Sequence, residues 1–187
     1  MDLKKIENSF RDILIERGLN LNDPNLTDTP SRATKAFLYA TRGYDKETIE
    51  EITRRFATKF PTKYTGMVMQ KNIRVIGMCP HHLKDIKYNI KFGIIYSKEA
   101  LGLSMIQRII KLLAARLVMQ EDLTTDIVEL FNYNLNPKGI AVIIEGHHGC
   151  MEYRGIEQDI PTTTSLLTGP FFDKQSTREE FLKAVYD

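Results

Sequence analysis

The sequence predicts an α+β protein: an antiparallel sheet backed by two helices, with a helical appendage at the N-terminus. Three observations lead there. Residues 3–57 carry apolar side chains at helical spacing, residues 86–94 alternate apolar and polar, and the segments run helices, strands, two helices, a strand and a terminal helix. Segregated rather than alternating elements are the mark of α+β architecture.

In chain order, Leu3, Ile6, Phe10, Ile13 and Leu14 recur on one face of a first helix. "DTPSR" starts a second over 30–41, with Thr29 as the expected cap and Pro30 at the first helical position. A third spans 46–57, and "KFPTKYTG" (59–66) is a loop, dividing a helical region (1–60) from a core (61–187). The core opens with a strand over 67–78. Ile86, Tyr88, Ile90, Phe92 and Ile94 then alternate with Lys87, Asn89, Lys91 and Gly93, the pattern of a strand with one wet face. Leu103, Ile106, Ile109, Ile110, Leu113 and Leu117 place a helix over 102–119, and "EDLTTDIVELFNYNL" places another. "NPKG" (136–139) is a turn before the buried strand 140–146. Ser176 and Glu179 form an S-x-x-E cap ahead of Phe181, Leu182 and Val185 in the terminal helix.

With 26 basic and 24 acidic residues the net charge is +2, which gives no reason to expect a nucleic-acid or membrane partner. The N-terminal stretch is amphipathic rather than signal-like, and two cysteines without a secretory signal point to a reducing, cytoplasmic setting.

The four histidines are 81, 82, 147 and 148 and the two cysteines are 79 and 150, so all six fall in "CPHH" and "HHGC". Such clusters are a metal signal. Cys79 and His82 straddle a turn stiffened by Pro80; His148 and Cys150, two apart, share a face if they lie on a strand. Three readings stand: no metal, a closed Cys2His2 structural zinc, or an open site of two Cys and one His. Spacing does not separate the last two. A chain this long needs no metal staple, and imidazoles beside a zinc-activated water suit acid–base work near neutrality, which favours the open site.

Beyond these clusters the sequence resembles the GTP cyclohydrolase I family, enzymes of the tunnelling fold. The family's C-E-H-H stands as Cys79-Pro80-His81-His82, its G-L-S-K as Gly102-Leu103-Ser104-Met105 followed by Arg108, and its Q-E-R-L-T as Gln120-Glu121-Asp122-Leu123-Thr124. H-x-C and R-G stand as His148-Gly149-Cys150 and Arg154-Gly155. "TPSRATK", "PTTTSLL" (161–167) and "STREEFL" also match, in order and at compatible spacings over residues 27–185.

The resemblance implies that Cys79, His82 and Cys150 bind Zn2+ with water in the fourth position. It implies opening of the guanine imidazole ring at C8, release of formate and closure to 7,8-dihydroneopterin triphosphate or a related pterin. His81 and His148 would transfer protons, and Glu121, with Gln120 beside it, would hold the guanine N–H edge. Ser104 would lie by the ribose and phosphates. Arg108 and Arg154, with Arg32 and Lys35 of a neighbouring subunit, would face the triphosphate. A guanine nucleotide substrate and a homo-oligomer, a decamer of two pentameric rings, follow from the same resemblance.

Three residues depart from the family pattern: Pro80 for Glu, Met105 for Lys, and Glu152 near Arg154. Losing one charge-assisted bond to a phosphate costs about 1.5–3 kcal/mol. A weakened triphosphate clamp therefore raises a second reading, the same chemistry on a less phosphorylated or modified purine nucleotide. A third is a zinc-stabilised binding protein without catalysis. A related nitrile-reducing tunnelling-fold enzyme uses a cysteine, NADPH and no zinc; the clustered Cys and His speak against it, as does the lack of a dinucleotide Gly-rich motif.

Overall fold

The computed structural model describes residues 1–187. Its N-terminal part holds helices α1 (Leu3–Glu16), α2 (Thr29–Ala40) and α3 (Lys46–Ala57), with a 3-10 turn at Arg42–Tyr44. Asp2 caps α1, its carboxylate accepting from Lys5 N–H. α1 buries none of its residues; it touches α2 through Phe10 and Phe37, ring centroids 6.2 Å apart. α2 begins one residue earlier than the spacing predicts, with Asp28 rather than Thr29 at the N-cap and Pro30 in the first turn. α3 sends Phe56 into the main core, edge-on to Phe131 at 5.2 Å.

Two antiparallel sheets follow. β1 (Lys59–Pro61) pairs with β4 (Glu99–Leu101), so part of the expected 59–66 loop is a short strand. The main sheet has the order β2-β3-β5-β6, from β2 (Val68–Met78), β3 (Asp85–Ile95), β5 (Gly139–His148) and β6 (Thr162–Leu167). β6 is the Thr-rich run: its hydrophobic period is weak, and pairing with β5 makes it a strand. On one face lie α4 (Leu103–Ala114) and α5 (Gln120–Leu135), which with the strands enclose a core of 24 buried residues including Ile90, Phe92, Ile106, Leu123 and Ile144. Full burial of each such aliphatic side chain stabilises by about 1.5–3 kcal/mol. The antiparallel sheet backed by two helices is the expected architecture.

The other face is only partly wet. α7 (Pro170–Asp173) and α8 (Gln175–Tyr186) cover its far end, where Phe171, Phe181 and Val185 meet Ile95, Ala141 and Ile143. Lys91, expected in water, is 4% exposed and lies over the Tyr186 ring at 4.8 Å. The expected Ser176 cap is absent: α8 starts at Gln175, and Gln175 Nε2 donates to Glu179 instead.

α4 ends five residues earlier than the apolar spacing suggests, because the N-terminal part captures the segment after it. Gly43 N–H donates to Ala115 O (2.7 Å), and Tyr44 Oη donates to Leu117 O (3.1 Å) and accepts from Leu117 N–H (3.2 Å). Leu117 then bridges to Met78. This extended stretch carries the start of α5 to the end of β2, next to Cys79.

Candidate metal and nucleotide site

Three element ends meet here: the turn after β2, the start of α5, and the end of β5 with the helical turn α6 (Gly149–Glu152). The first is locked by two backbone bonds, Cys79 N–H to Lys84 O (2.8 Å) and Leu83 N–H to Cys79 O (3.0 Å), with Leu83 in the left-handed region at φ 53°. Neither bond uses the N–H that Pro80 lacks, and its fixed φ pre-orders the turn. Pro80 therefore has a structural role here.

Cys79 Sγ lies 3.7 Å from His82 Nδ1 and 3.9 Å from His81 Nδ1. The donor atoms of Cys79, His82 and Cys150 all fall within 4.8 Å of one another; His81 is outside that set. A tetrahedral ion with bonds of about 2.3 Å to S and 2.1 Å to N needs S···N edges of about 3.6 Å, so the spacing fits. Cys79 is buried, Cys150 half-buried and His82 exposed, which leaves a fourth direction towards solvent. Burial, and then the neighbouring Cys79 thiol, push the Cys150 thiol up. Two thiols held side by side in this way suit a divalent cation, which favours their deprotonated form. Three gathered donors rather than four match the open arrangement.

Cys150 arrives differently from the sequence expectation. β5 stops at His148, so His148 and Cys150 do not share a strand face; the chain turns helical at Gly149, where a Cβ would sit 2.9 Å from Asp85 O.

His148 is fixed by Gln120. The Gln120 amide nitrogen donates to Thr162 O (2.8 Å), Ile144 O (3.1 Å) and Thr164 Oγ1 (3.2 Å). Two of these are carbonyls that only accept, so the orientation of the amide is determined and its Oε1 faces His148 Nε2 at 2.8 Å. That nitrogen must carry the proton, and the neutral ring keeps its lone pair on Nδ1. Burial lowers the His148 pKa, Glu121 partly offsets this, and His147 adds to it. The Gln120 side chain, expected at the guanine edge, is 2% exposed and fully engaged by protein.

Glu121 is exposed in the first turn of α5, where the helix dipole favours a carboxylate, and it is close enough to act on His148. Arg154, exposed beyond α6, is close enough to Cys150 to favour its thiolate. Glu152 meets Lys87 at 4.0 Å, so its charge has a partner other than Arg154.

The other expected residues lie elsewhere in the chain. Gln70 Nε2 donates to Leu103 O (2.8 Å), which pins the start of α4 to the start of β2, the end remote from Cys79. At about 1.5 Å per residue, Ser104 is about 15 Å along α4 from Ala114, the residue whose carbonyl approaches Gly77. Arg108 is one turn further in, exposed. Met105 takes a contact from Arg55 Nη1 at 3.4 Å, and Arg55 is paired with Glu51. Arg32 and Lys35 are exposed on α2, Arg32 in an ion pair with Asp28 at 3.0 Å. A cavity of about 1170 Å3 lies between α1, α2 and the open face of β2 and β3, and neither Cys79, His82, Cys150 nor His148 lines it.

Sequence reasoning missed Tyr88. Its place between Ile86 and Ile90 marked it as core, and it is 3% exposed, but its hydroxyl has no hydrogen-bond partner and its ring stands edge-on to His148 at 6.5 Å. Burial raises its pKa, and Cys79, Glu121 and Cys150 add to the rise. An unpaired buried hydroxyl beside a predicted site is the signal that only coordinates supply.

No helix is long and apolar enough to cross a membrane. The family described as GTP cyclohydrolase I matches residues 6–186. A Pseudomonas syringae pv. tomato protein named GTP cyclohydrolase 1 1 is 38% identical over 177 residues, 94% of this chain and 93% of that one. The Saccharomyces cerevisiae GTP cyclohydrolase 1 is 35% identical over 96% of this chain and 73% of its own length. The Drosophila melanogaster GTP cyclohydrolase 1 is 37% identical over 98% of this chain, which spans 56% of that relative's length. An apo crystal structure of the archaeosine synthase QueF-Like overlaps 55% of this chain and 95% of its own, with a TM-score of 0.43 and 16% identity. With a match over nearly its whole length and relatives of this identity, the chain belongs to the GTP cyclohydrolase I family.

Proposed function

We propose that the protein is a zinc-dependent GTP cyclohydrolase that opens the guanine imidazole ring at C8, releases formate and closes the product to 7,8-dihydroneopterin triphosphate or a related pterin. The observation that carries this reading is the Cys79–His82–Cys150 triad beside a histidine whose proton is placed by Gln120. A zinc ion held by those three donors would supply Lewis acidity and activate water near neutral pH.

The chain's own groups do the rest. His148, neutral because it is partly desolvated, offers Nδ1 as a proton acceptor, and a shuttle beside the reacting carbon contributes about 10²–10⁴-fold. His81, on the same turn as Cys79 and His82, is the second proton carrier. Glu121 accepts from the paired N–H groups of the guanine edge, where a carboxylate matches two donors in a fork. Arg154 binds phosphate.

Ser104 and Arg108 are remote from the triad within one chain, so their role requires a second copy that brings its α4 start to this site; Arg32 and Lys35 are supplied in the same way. Support comes from two features. β2 and β6 leave both edges of the main sheet unpaired, and α1 leaves its apolar stripe without cover, with Ile13 62% exposed. The homo-oligomer, a decamer of two pentameric rings, and a cytoplasmic location are part of this reading.

The test is product mass after incubation with GTP and zinc, alongside a formate assay. Absence of both products in metal-loaded protein would sink the proposal. A second reading has one observation behind it: Arg55, the cation that contacts Met105, is paired with Glu51, so it is not a free replacement for the family's missing lysine. This favours a less phosphorylated or modified guanine nucleotide. Comparing GTP, GDP, GMP and guanosine decides it, and a strong preference for GTP at low KM refutes it.

A further inference from the structure

Tyr88 sits in the middle strand β3 with a glycine on either side of it in space. Gly146 pairs with it across β5, and a Cβ there would stand 3.1 Å from the Tyr88 ring. On β2 a Cβ at Gly77 would stand 2.7 Å from the ring. The two glycines make room for a large side chain at the end of the core, where α5 begins. Packing explains the ring and leaves the hydroxyl unexplained: it is buried and lacks any partner. The ionisable side chains close enough to act on it are Cys79, Glu121 and Cys150, and the His148 ring stands edge-on to it.

A phenol among two thiols and a carboxylate is a donor without an acceptor. The thiols are those read above as metal donors, and the carboxylate is the one read above as the guanine anchor. A guanine held by Glu121 at N1–H and the exocyclic amine, with C8 towards the metal donors, would present between those groups an edge carrying two acceptors, O6 and N7. We infer that the Tyr88 hydroxyl is a substrate-binding donor that contacts this acceptor edge of the purine. The inference rests on the guanine-nucleotide reading of the site. It makes Tyr88 a specificity residue: a purine with a donor at that edge, such as an adenine amino group, leaves the hydroxyl unpaired or opposed.

The variant Tyr88→Phe removes the hydroxyl and keeps the ring in its glycine cradle. Zinc content and oligomeric state are expected to match the wild type, with a melting temperature equal or higher. KM for GTP is expected to rise about three- to tenfold, the loss of one neutral hydrogen bond, while kcat stays within about twofold. Two analogues complete a cycle: 7-deaza-GTP, lacking N7, as an inhibitor, and 6-thio-GTP, with a poor acceptor in place of O6. The wild type is expected to discriminate against the one that lacks the bonded acceptor by the same factor, and Y88F is not. If wild type turns over GTP and Y88F has the same KM and the same analogue preferences, the inference is overturned and the hydroxyl is structural. If wild type neither binds nor converts GTP, the functional reading itself falls and takes this inference with it.

Discussion

Replacing Gln120 with leucine keeps the volume of the side chain and removes every polar contact it makes. The amide holds Thr162 O, Ile144 O and Thr164 Oγ1 through its nitrogen and His148 Nε2–H through its oxygen. Thr164 keeps Thr124 as a partner at 2.7 Å, but His148 Nε2–H loses its acceptor and Thr162 O its side-chain donor. One or two buried groups left unpaired cost about 1–3 kcal/mol each, so a stability loss of about 2–4 kcal/mol is expected in denaturant unfolding. The effect on turnover is separate. Without the amide nothing fixes which imidazole nitrogen carries the proton, and loss of a positioned proton shuttle lowers rates by about a hundredfold or more. Because Gln120 touches none of the three metal donors, zinc stoichiometry and KM are expected to hold while kcat falls. Formate release at saturating GTP, with zinc content measured on the same samples, checks this. A folded, zinc-replete Gln120→Leu with kcat within twofold of wild type would refute the role given to Gln120. A kcat loss that tracks zinc loss would show that it acts through the metal donors instead.

Cys150→Ala is expected to abolish zinc retention and formate release while circular dichroism stays near wild type, since the core encloses 24 buried residues without the metal; loss of the folded spectrum would instead mark a structural zinc. Mixing inactive Cys150→Ala with inactive Arg108→Ala subunits after dissociation should restore part of the activity, because the two residues would serve one site from different copies; no recovery in reassembled particles argues for sites within single chains. Burial raises the pKa of Tyr88 and Tyr96 above the unfolded value of about 10, so the stability they contribute is present below that pH and lost as pH rises past it. The other six tyrosines are exposed, and the final two equivalents of tyrosinate absorbance are therefore expected only as the far-UV signal is lost. Their appearance in folded, ligand-free protein would show that burial does not hold the two hydroxyls protonated.

The strands and helices that the sequence shows clearly are those whose periodicity is imposed by one continuous core: β3 with Ile86 to Ile94, and α5 with its acidic first turn. Elements set by distant partners are not legible. The end of α4 depends on Gly43 and Tyr44, and the burial of Lys91 depends on α8. The gathering of Cys79, His82 and Cys150 is legible because their residue types are rare and clustered. The side-chain role of Gln120 is not, since a motif shows that a glutamine stands there and not that both ends of its amide are already taken by His148 and β6. Tyr88 is hidden for a related reason: alternation places it inside, and only coordinates reveal that its hydroxyl has no partner.

Cys79 follows β2 and Cys150 follows β5, and the two strands meet only through β3, with Gly77 opposite Ile86 and Ile86 opposite His148. The two thiols are therefore brought together only when both ladders have closed in register; a slip of one residue in either would displace a donor by about 3.3 Å and turn its strand over. During refolding, backbone structure in α1 to α3 can form from local contacts, whereas tight zinc uptake by the proposed site would have to wait for these long-range pairings. Metal capture would then work as a clock for the last step of assembly. Zinc withheld until late in refolding should yield the same native protein as zinc supplied from the start.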